Sequence, residues 1–187
     1  VVIKFTVVNT TVNVNGGLVC NGTAGNPVVF TSIADDSIAG DSGKDGVTVV
    51  APNFWNGVTF PTPALPCALT HARVRGAGRN GIGGLDIQNG NVTLDQCIVD
   101  TCQVEGLDLN GVSGGTLSVT NCQFNSNNNA VDNVPLSRVP SFTNCTATGN
   151  TLNDTIRTTS NTVSANMSIT TANLMSGVII LAQSVTV

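Results

Sequence analysis

Short runs of alternating apolar and polar residues recur along this chain. VTLDQCIV (92–99), LSVTNCQF (117–124) and SFTNCTAT (141–148) carry their cysteines in phase, with Cys97, Cys122 and Cys145 at nearly equal intervals. A fainter copy, LTHARV (69–74), precedes LDQCIV (94–99) by the same interval. A second motif is interleaved with these: Gly84-Leu85-Asp86-Ile87 returns one period later as Gly106-Leu107-Asp108-Leu109. Alternation of this kind sends successive side chains to opposite faces of a strand. Recurrence with a period in the low twenties predicts that the strands wind into a solenoid. Each repeat is one coil, and its inward residues stack on those of the next because no coil buries its apolar edge alone.

The same patterning predicts strands elsewhere. Residues 1–19 read as two strands parted by a corner at Asn9-Thr10-Thr11, and Val28-Val29-Phe30 as a strongly apolar strand behind the turn GTAGNP (22–27). An irregular stretch, DDSIAGDSGKDG (35–46), precedes a strand at Val47–Val50 and another through Phe54-Trp55-Asn56-Gly57-Val58-Thr59-Phe60. Trp55 reads as core, given the apolar strand around it. Pro61, Pro63 and Pro66 mark an excursion, after which the most regular coils run from 67 to 150. Residues 151–187 read as a polar stretch that ends in the apolar strand GVIILAQSVTV.

Composition narrows the picture to one all-β domain over 1–187. Charged residues make up only 10% of the chain, Glu105 is its one glutamate, and Lys4 and Lys44 are its lysines. Helix formers are therefore scarce, whereas the abundant Val, Ile and Thr suit strands. A net charge of −4 with seven basic residues argues against a nucleic-acid partner, which needs clustered Lys and Arg. The basic cluster that exists, Arg73, Arg75 and Arg79, reads as a solvated outer face. The apolar run Val178-Ile179-Ile180-Leu181-Ala182 is far shorter than the ~20 residues a membrane-spanning helix needs.

The N-terminal segments carry a resemblance. Lys4-Phe5, Gly17-Leu18, Gly22-Thr23, Asn26-Pro27, Phe30-Thr31-Ser32, Asp35-Asp36, Gly40-Asp41, Trp55 and Gly57-Val58 fall in an order that resembles the right-handed parallel β-helix proteins, of the pectate-lyase-like superfold, found on and outside prokaryotic cells. The resemblance covers about residues 1–75, and the generic repeats extend it to about 150. It implies a right-handed parallel β-helix with little or no α-helix, and ~25 residues per coil gives about six to seven coils. Members of that family carry a further strand and turn ahead of the Lys-Phe pair. This chain starts almost on the pair, so its first coil is expected to present an uncovered edge. No amphipathic helix that would cap either end is visible.

Candidate chemistry is sparse. Cys20, Cys67, Cys97, Cys102, Cys122 and Cys145 permit up to three disulfides, or an inward thiol ladder at Cys97, Cys122 and Cys145. Asn-x-Ser/Thr sequons at Asn9, Asn21, Asn91, Asn144, Asn153 and Asn166 are candidate N-glycosylation sites. Asp86, Asp108 and Asp132 share one phase and predict an outward carboxylate column. The ordinary reading is a solubilising face; paired carboxylates also suit a glycoside hydrolase, and a carboxylate column suits a calcium-assisted polysaccharide lyase. No cofactor is expected; Asp35, Asp36, Asp41 and Asp45 are the candidate ligands were a structural calcium ion bound, against a solvated turn as the default. The stretch from Asp41 to Gly46 partly mimics an EF-hand loop but has Gly43 at its third position and Pro52 at its twelfth. Without an ion the loop is a solvated turn. His71 reads as a surface residue, and Asn125, Asn127, Asn128, Asn129 and Asn150 as corner asparagines that hydrogen-bond along the solenoid.

These observations favour an extracellular structural protein over an enzyme: a β-helix that stacks head to tail into a filament or surface fibre. Val178, Ile179, Ile180 and Leu181 are the segment expected to complete a neighbour's sheet. A segment of a larger cell-surface adhesin is the alternative, and a polysaccharide-acting enzyme a third reading. The expected partners are further copies of the chain and surface glycans, with neither nucleic acid nor a membrane span.

Overall fold

The computed structural model describes residues 1–112, 114–160, 162–163, 166–182, 184 and 186. The chain winds through coils of up to three short strands. The first holds β1 (Val2–Phe5), β2 (Thr11–Asn13) and β3 (Val19–Asn21); the second holds β4 (Val28–Ser32), β5 (Gly57–Phe60) and β6 (Cys67–Thr70). The third is β7 (Ala72–Arg75), β8 (Leu85–Ile87) and β9 (Val92–Asp95), and the fourth β10 (Ile98–Asp100), β11 (Glu105–Asp108) and β12 (Leu117–Thr120). The fifth is β13 (Gln123–Asn125), β14 (Asn129–Pro135) and β15 (Phe142–Thr143). β16 (Thr146–Thr148) and β17 (Asn153–Ser160) belong to the sixth, and β18 (Ile179–Leu181) to the seventh.

Equivalent strands pair in parallel to form three sheets. Sheet A runs β1-β4-β7-β10-β13-β16, sheet B β2-β5-β8-β11-β14-β17-β18, and sheet C β3-β6-β9-β12-β15. The fold is thus an all-β parallel solenoid of about seven turns. The helical segments among the described residues are three short 3₁₀ turns, at Arg79–Gly81, Leu136–Ser141 and Thr171–Asn173.

Register turns sequence periodicity into columns. Ile3, Phe30, Val74, Val99, Phe124 and Ala147 follow one another inside sheet A. Val12, Val58, Leu85, Leu107, Val131, Ile156 and Ile179 do so in sheet B, and Cys20, Leu69, Leu94, Val119 and Phe142 in sheet C. The middle members of each column are buried. Each large apolar side chain so placed stabilises the fold by about 1.5–3 kcal/mol. Trp55 is fully buried as well; its Nε1 donates to the Arg75 carbonyl at 2.9 Å, and its ring stacks on Phe5 with centroids 4.1 Å apart.

The corners are columns too. Between sheets C and A the chain reverses through His71, Gln96, Asn121 and Asn144 with φ of 47°, 53°, 55° and 53°. Between A and B it does so through Gly76, Thr101, Ser126 and Gly149 with φ of 70°, 59°, 57° and 67°. Asparagine and glycine adopt this left-handed conformation most readily. The residue after each corner turns inward, which explains the recurrent Asn-Cys pairs. At the A–B corner this position holds Ala77, Cys102, Asn127 and Asn150, and the two asparagines form an amide ladder. Asn127 donates its Nδ2 to the Val99 carbonyl at 3.1 Å and accepts the Cys102 N–H at 2.9 Å; Asn150 does the same with Phe124 and Asn127, both at 2.8 Å. Of the other expected corner asparagines, Asn125 and Asn129 lie in strands.

Three local expectations change. Val47–Val50 is not a strand: Val47 and Val49 are 94% and 78% exposed, and the Thr48 N–H bonds the Asp36 carboxylate at 2.6 Å instead of a neighbouring strand. The polar stretch after 150 contains β17, an eight-residue strand whose inward Ile156 suffices to seat it on β14. The terminal apolar strand narrows to β18; Gln183, Val185 and Val187 of that expectation, and Asn161, Ser164 and Ala165 of the polar stretch, lie outside the described residues.

The amide ladder predicts a contrast. Asn127→Ala leaves the Cys102 N–H buried without its partner and removes one of the hydrogen bonds to the Val99 carbonyl. It is expected to lower stability by about 1–3 kcal/mol, whereas Asn128→Ala changes it by no more than about 0.5 kcal/mol. Urea unfolding of the two variants measures the difference.

Candidate functional site

A column of titratable groups runs along the outer face of sheet B. Val58 and Phe60, Leu85 and Ile87, and Leu107 point inward, so Thr59, Asp86, Asp108 and Asp132 point outward in register. The expected carboxylate column therefore exists. It is not the solvated face its position suggests, because Asp86, Asp108 and Asp132 are only 6%, 7% and 3% exposed. Amide and guanidinium side chains on this face engage them. Asp86 Oδ2 accepts Gln88 Nε2 at 2.9 Å, and Asp108 Oδ1 accepts Asn133 Nδ2 at 2.8 Å. Asp132 Oδ2 accepts Arg157 Nη1 at 2.7 Å. Asp86 Oδ1 and Thr59 Oγ1, on residues paired across β8 and β5, have no hydrogen-bond partner among the described residues.

Burial without full compensation disfavours the ionised form. Asp86 is pushed up from 3.8 to about 6, first by burial and then by the nearby Asp108 charge, against the lowering effect of the Gln88 hydrogen bond. Asp108 is raised for the same leading reason, with Asp132 adding to it, and burial also raises Glu105 at the start of β11. Arg157 is the cation paired with this column, and it sits at the Asp132 end. The arrangement can take up and release a proton in mildly acidic solution.

Sheet A solves the same problem differently. Arg73 and Arg75 are not a solvated face: Arg73 grips the Asp100 carboxylate through Nε and Nη2, both at 2.9 Å, and Arg75 joins Asp100 and Asp35, each at 3.2 Å. Asp100 was the missed member; it stands one coil after Arg75 and pairs with it across β7 and β10. Asp35, fully buried, also accepts Thr31 Oγ1 at 2.7 Å, and so pins the 33–56 excursion to the sheet. Asp36 instead binds Thr48, and Asp41 accepts the N–H groups of Asp45 and Gly46 at 3.3 and 3.1 Å. The carboxylates of Asp35, Asp36 and Asp41 thus serve different partners, and Asp45 joins Asp41 through its backbone N–H. Among the described residues, no group of three or more His, Cys, Asp or Glu is placed to hold a metal ion.

All six cysteines are buried free thiols. Cys97, Cys122 and Cys145 form the expected ladder at the C–A corner. Hydrogen bonding to Cys122 draws the Cys97 and Cys145 thiols down, while the same contacts push Cys122 up. Cys102 lies apart on the amide ladder, pushed up to about 12 by burial; burial likewise raises Cys20, and the Cys67 sulfur accepts the Leu18 N–H at 3.4 Å. Of the sequons, Asn9, Asn21, Asn91, Asn144 and Asn166 are exposed, whereas Asn153 is half-buried and donates to Asn129 Oδ1 at 2.7 Å.

The two ends differ. β1, β2 and β3 all stand at sheet edges, and Ile3, an inward-column residue, is 39% exposed beside Val2 at 40% and Val19 at 61%. At the other end, the edge of sheet C is met by the Thr171–Asn173 turn: Asn173 Nδ2 donates to the Phe142 carbonyl at 2.6 Å, and the Ala172 carbonyl accepts the Asn144 N–H at 2.8 Å. Beyond it β18 ends sheet B with Ile179 and Ile180 half-buried and Val178 and Leu181 53% and 48% exposed. No helix among the described residues is long and apolar enough to cross a membrane. No protein-family model, no curated protein and no solved structure matches the chain.

The carboxylate column predicts how stability depends on pH. A carboxylate raised in the folded state contributes fully below its unfolded value, near 4, and its contribution is lost as pH rises towards 6. For Asp86, moving from 3.8 to about 6 corresponds to at most about 3 kcal/mol. Urea midpoints are expected to fall between pH 4 and 6.5 by less in Asp86→Asn than in the unmodified chain. Equal falls in the two proteins would remove Asp86 as the source.

Proposed function

We propose that this chain is a structural β-solenoid that acts outside the cell and extends by stacking end to end with further copies. The observation that carries this reading is Ile3: it continues a column whose next four members, Phe30, Val74, Val99 and Phe124, are at most 3% exposed, yet it is itself 39% exposed. An apolar stack that ends at an unpaired parallel strand is a template for another coil. At the far end Ile179 ends the inward column of sheet B, near exposed Val178 and Leu181. A first coil meeting a last coil is a heterologous contact, and such contacts build filaments when they do not close. Low charge offers little repulsion between copies. The resemblance of residues 1–75 to prokaryotic surface β-helix proteins and the exposed sequons support an extracellular setting.

One observation favours the second reading, a segment of a larger surface adhesin. The first coil is flush across all three sheets, whereas the far end is stepped, with the edge of sheet C already occupied by Ala172 and Asn173. Neighbouring coils of a longer chain fit a stepped end without requiring it to match a flush one.

Negative-stain electron microscopy at neutral pH separates the two. Stacking predicts thin fibres with an axial repeat of about 30 Å, the rise of six to seven coil spacings. Ile3→Asp, at a partly exposed position, is expected to give discrete particles with an unchanged circular dichroism spectrum. Discrete particles from the unmodified chain would rule out the filament and leave the adhesin segment.

A further inference from the structure

A cleft of about 440 Å³ follows the corner between sheets C and A. The turn at 22–27, closed by reciprocal backbone hydrogen bonds between Thr23 and Asn26 at 3.0 and 3.1 Å, forms one wall through Thr23 and Pro27. Two columns form the floor. One is the left-handed corner itself, where His71, Gln96 and Asn121 stand one coil apart; the other is the outward row Arg73, Ile98 and Gln123 of β7, β10 and β13. Neither column belongs to the carboxylate site or to the stacking ends.

The chemistry of these columns selects a ligand. Along the corner column, side chains that both donate and accept hydrogen bonds recur at the coil spacing of about 4.8 Å, so a ligand along the axis meets similar groups at each step; this favours a linear polymer. Amides and imidazole both donate and accept, which matches hydroxyl groups. Their capacity is largely unspent. Among the described residues His71 makes no side-chain hydrogen bond, and Gln96 and Asn121 each spend one amide N–H on Asp95, at 3.3 and 3.2 Å, keeping their amide oxygens for a ligand. Anions are disfavoured because the Arg73 guanidinium is committed to Asp100. An extended peptide would need an open strand edge, and β7, β10 and β13 are each paired on both sides. Ile98 and Pro27 add small apolar surfaces suited to the C–H faces of sugar rings. A volume of this size lies within the ~300–1,000 Å³ of ordinary ligand sites.

We propose that this cleft binds a linear neutral saccharide lying along the solenoid axis. The inference is independent of end-to-end stacking and is measured on Ile3→Asp if the unmodified chain forms fibres. Isothermal titration calorimetry with cellohexaose, chitohexaose and mannohexaose is expected to give a Kd of about 0.1–1 mM for at least one of them. Hexagalacturonate and an uncharged hexapeptide are expected not to bind. Gln123→Ala, at an exposed strand position, should weaken binding several-fold. Adding His71→Gly, which suits the left-handed corner and removes the imidazole, should bring the loss to about tenfold or more. Failure of all three neutral hexasaccharides at millimolar concentration, binding of the acidic or peptide probe alone, or equal binding by the double variant would each overturn the proposal.

Discussion

In-register stacking of inward side chains is the interaction on which everything else in this molecule depends. Strands this short have no independent stability, and each coil gains its ladder hydrogen bonds and its apolar contacts only from the coils on either side. Register cannot slip by one residue without turning Val58, Leu85 and Leu107 outward and Thr59, Asp86 and Asp108 inward. That restriction fixes the outer faces and the corners as firmly as the core. Thiols, amides and carboxylates become ladders because the core holds them in line.

The same constraint has opposite electrostatic consequences on two faces. On sheet A it places Arg75 beside Asp100, and the ion pairs with Asp35 and Arg73 complete an alternating network. On sheet B it places Asp86 beside Asp108 beside Asp132. Two like charges about 4.8 Å apart at an effective dielectric constant near 20 repel by roughly 3 kcal/mol. Arg157 relieves this at the Asp132 end, and amide donors relieve it at Asp108. Asp86, furthest from the guanidinium and with one oxygen unpartnered, is where a proton is the remaining remedy.

The periodic part of this architecture was legible in the sequence, and the aperiodic part was not. Cys97, Cys122 and Cys145 gave the coil length, and the repeated Gly-Leu-Asp motif gave the phase of the carboxylate column, because both are properties of spacing. Burial of that column was hidden, since it depends on Gln88, Asn133 and Arg157 reaching it from three different coils. Val47–Val50 had a plausible strand composition but no neighbouring coil to pair with. β17 had the reverse: a polar sequence, seated by the partner strand and one inward isoleucine. Asp100 was readable only once Arg75 was known to lie one coil away. The cleft depends on how the 22–27 turn projects beside a corner, which no local pattern encodes.

Magnitudes indicate what would have to hold one coil end against another in the proposed stacking. Ile3, Val2 and Val19 retain about 39–61% of their surface in water, so covering each recovers roughly half of the 1.5–3 kcal/mol of a full burial. Including Val7 and Val8, the apolar gain at this end is about 4–7 kcal/mol, at the low end of the ~4–15 kcal/mol lost in associating two bodies. Apolar contact alone therefore leaves little or no surplus. The backbone groups along the free edges of β1, β2 and β3 must supply the difference, at about 0.5–1.5 kcal/mol for each ladder hydrogen bond formed. Stacking of this kind is consequently sensitive to register in a way that a greasy patch is not: a partner that covers the valines without aligning its strands gains too little to stay. The register that organises the interior of one chain would then also select what binds its end.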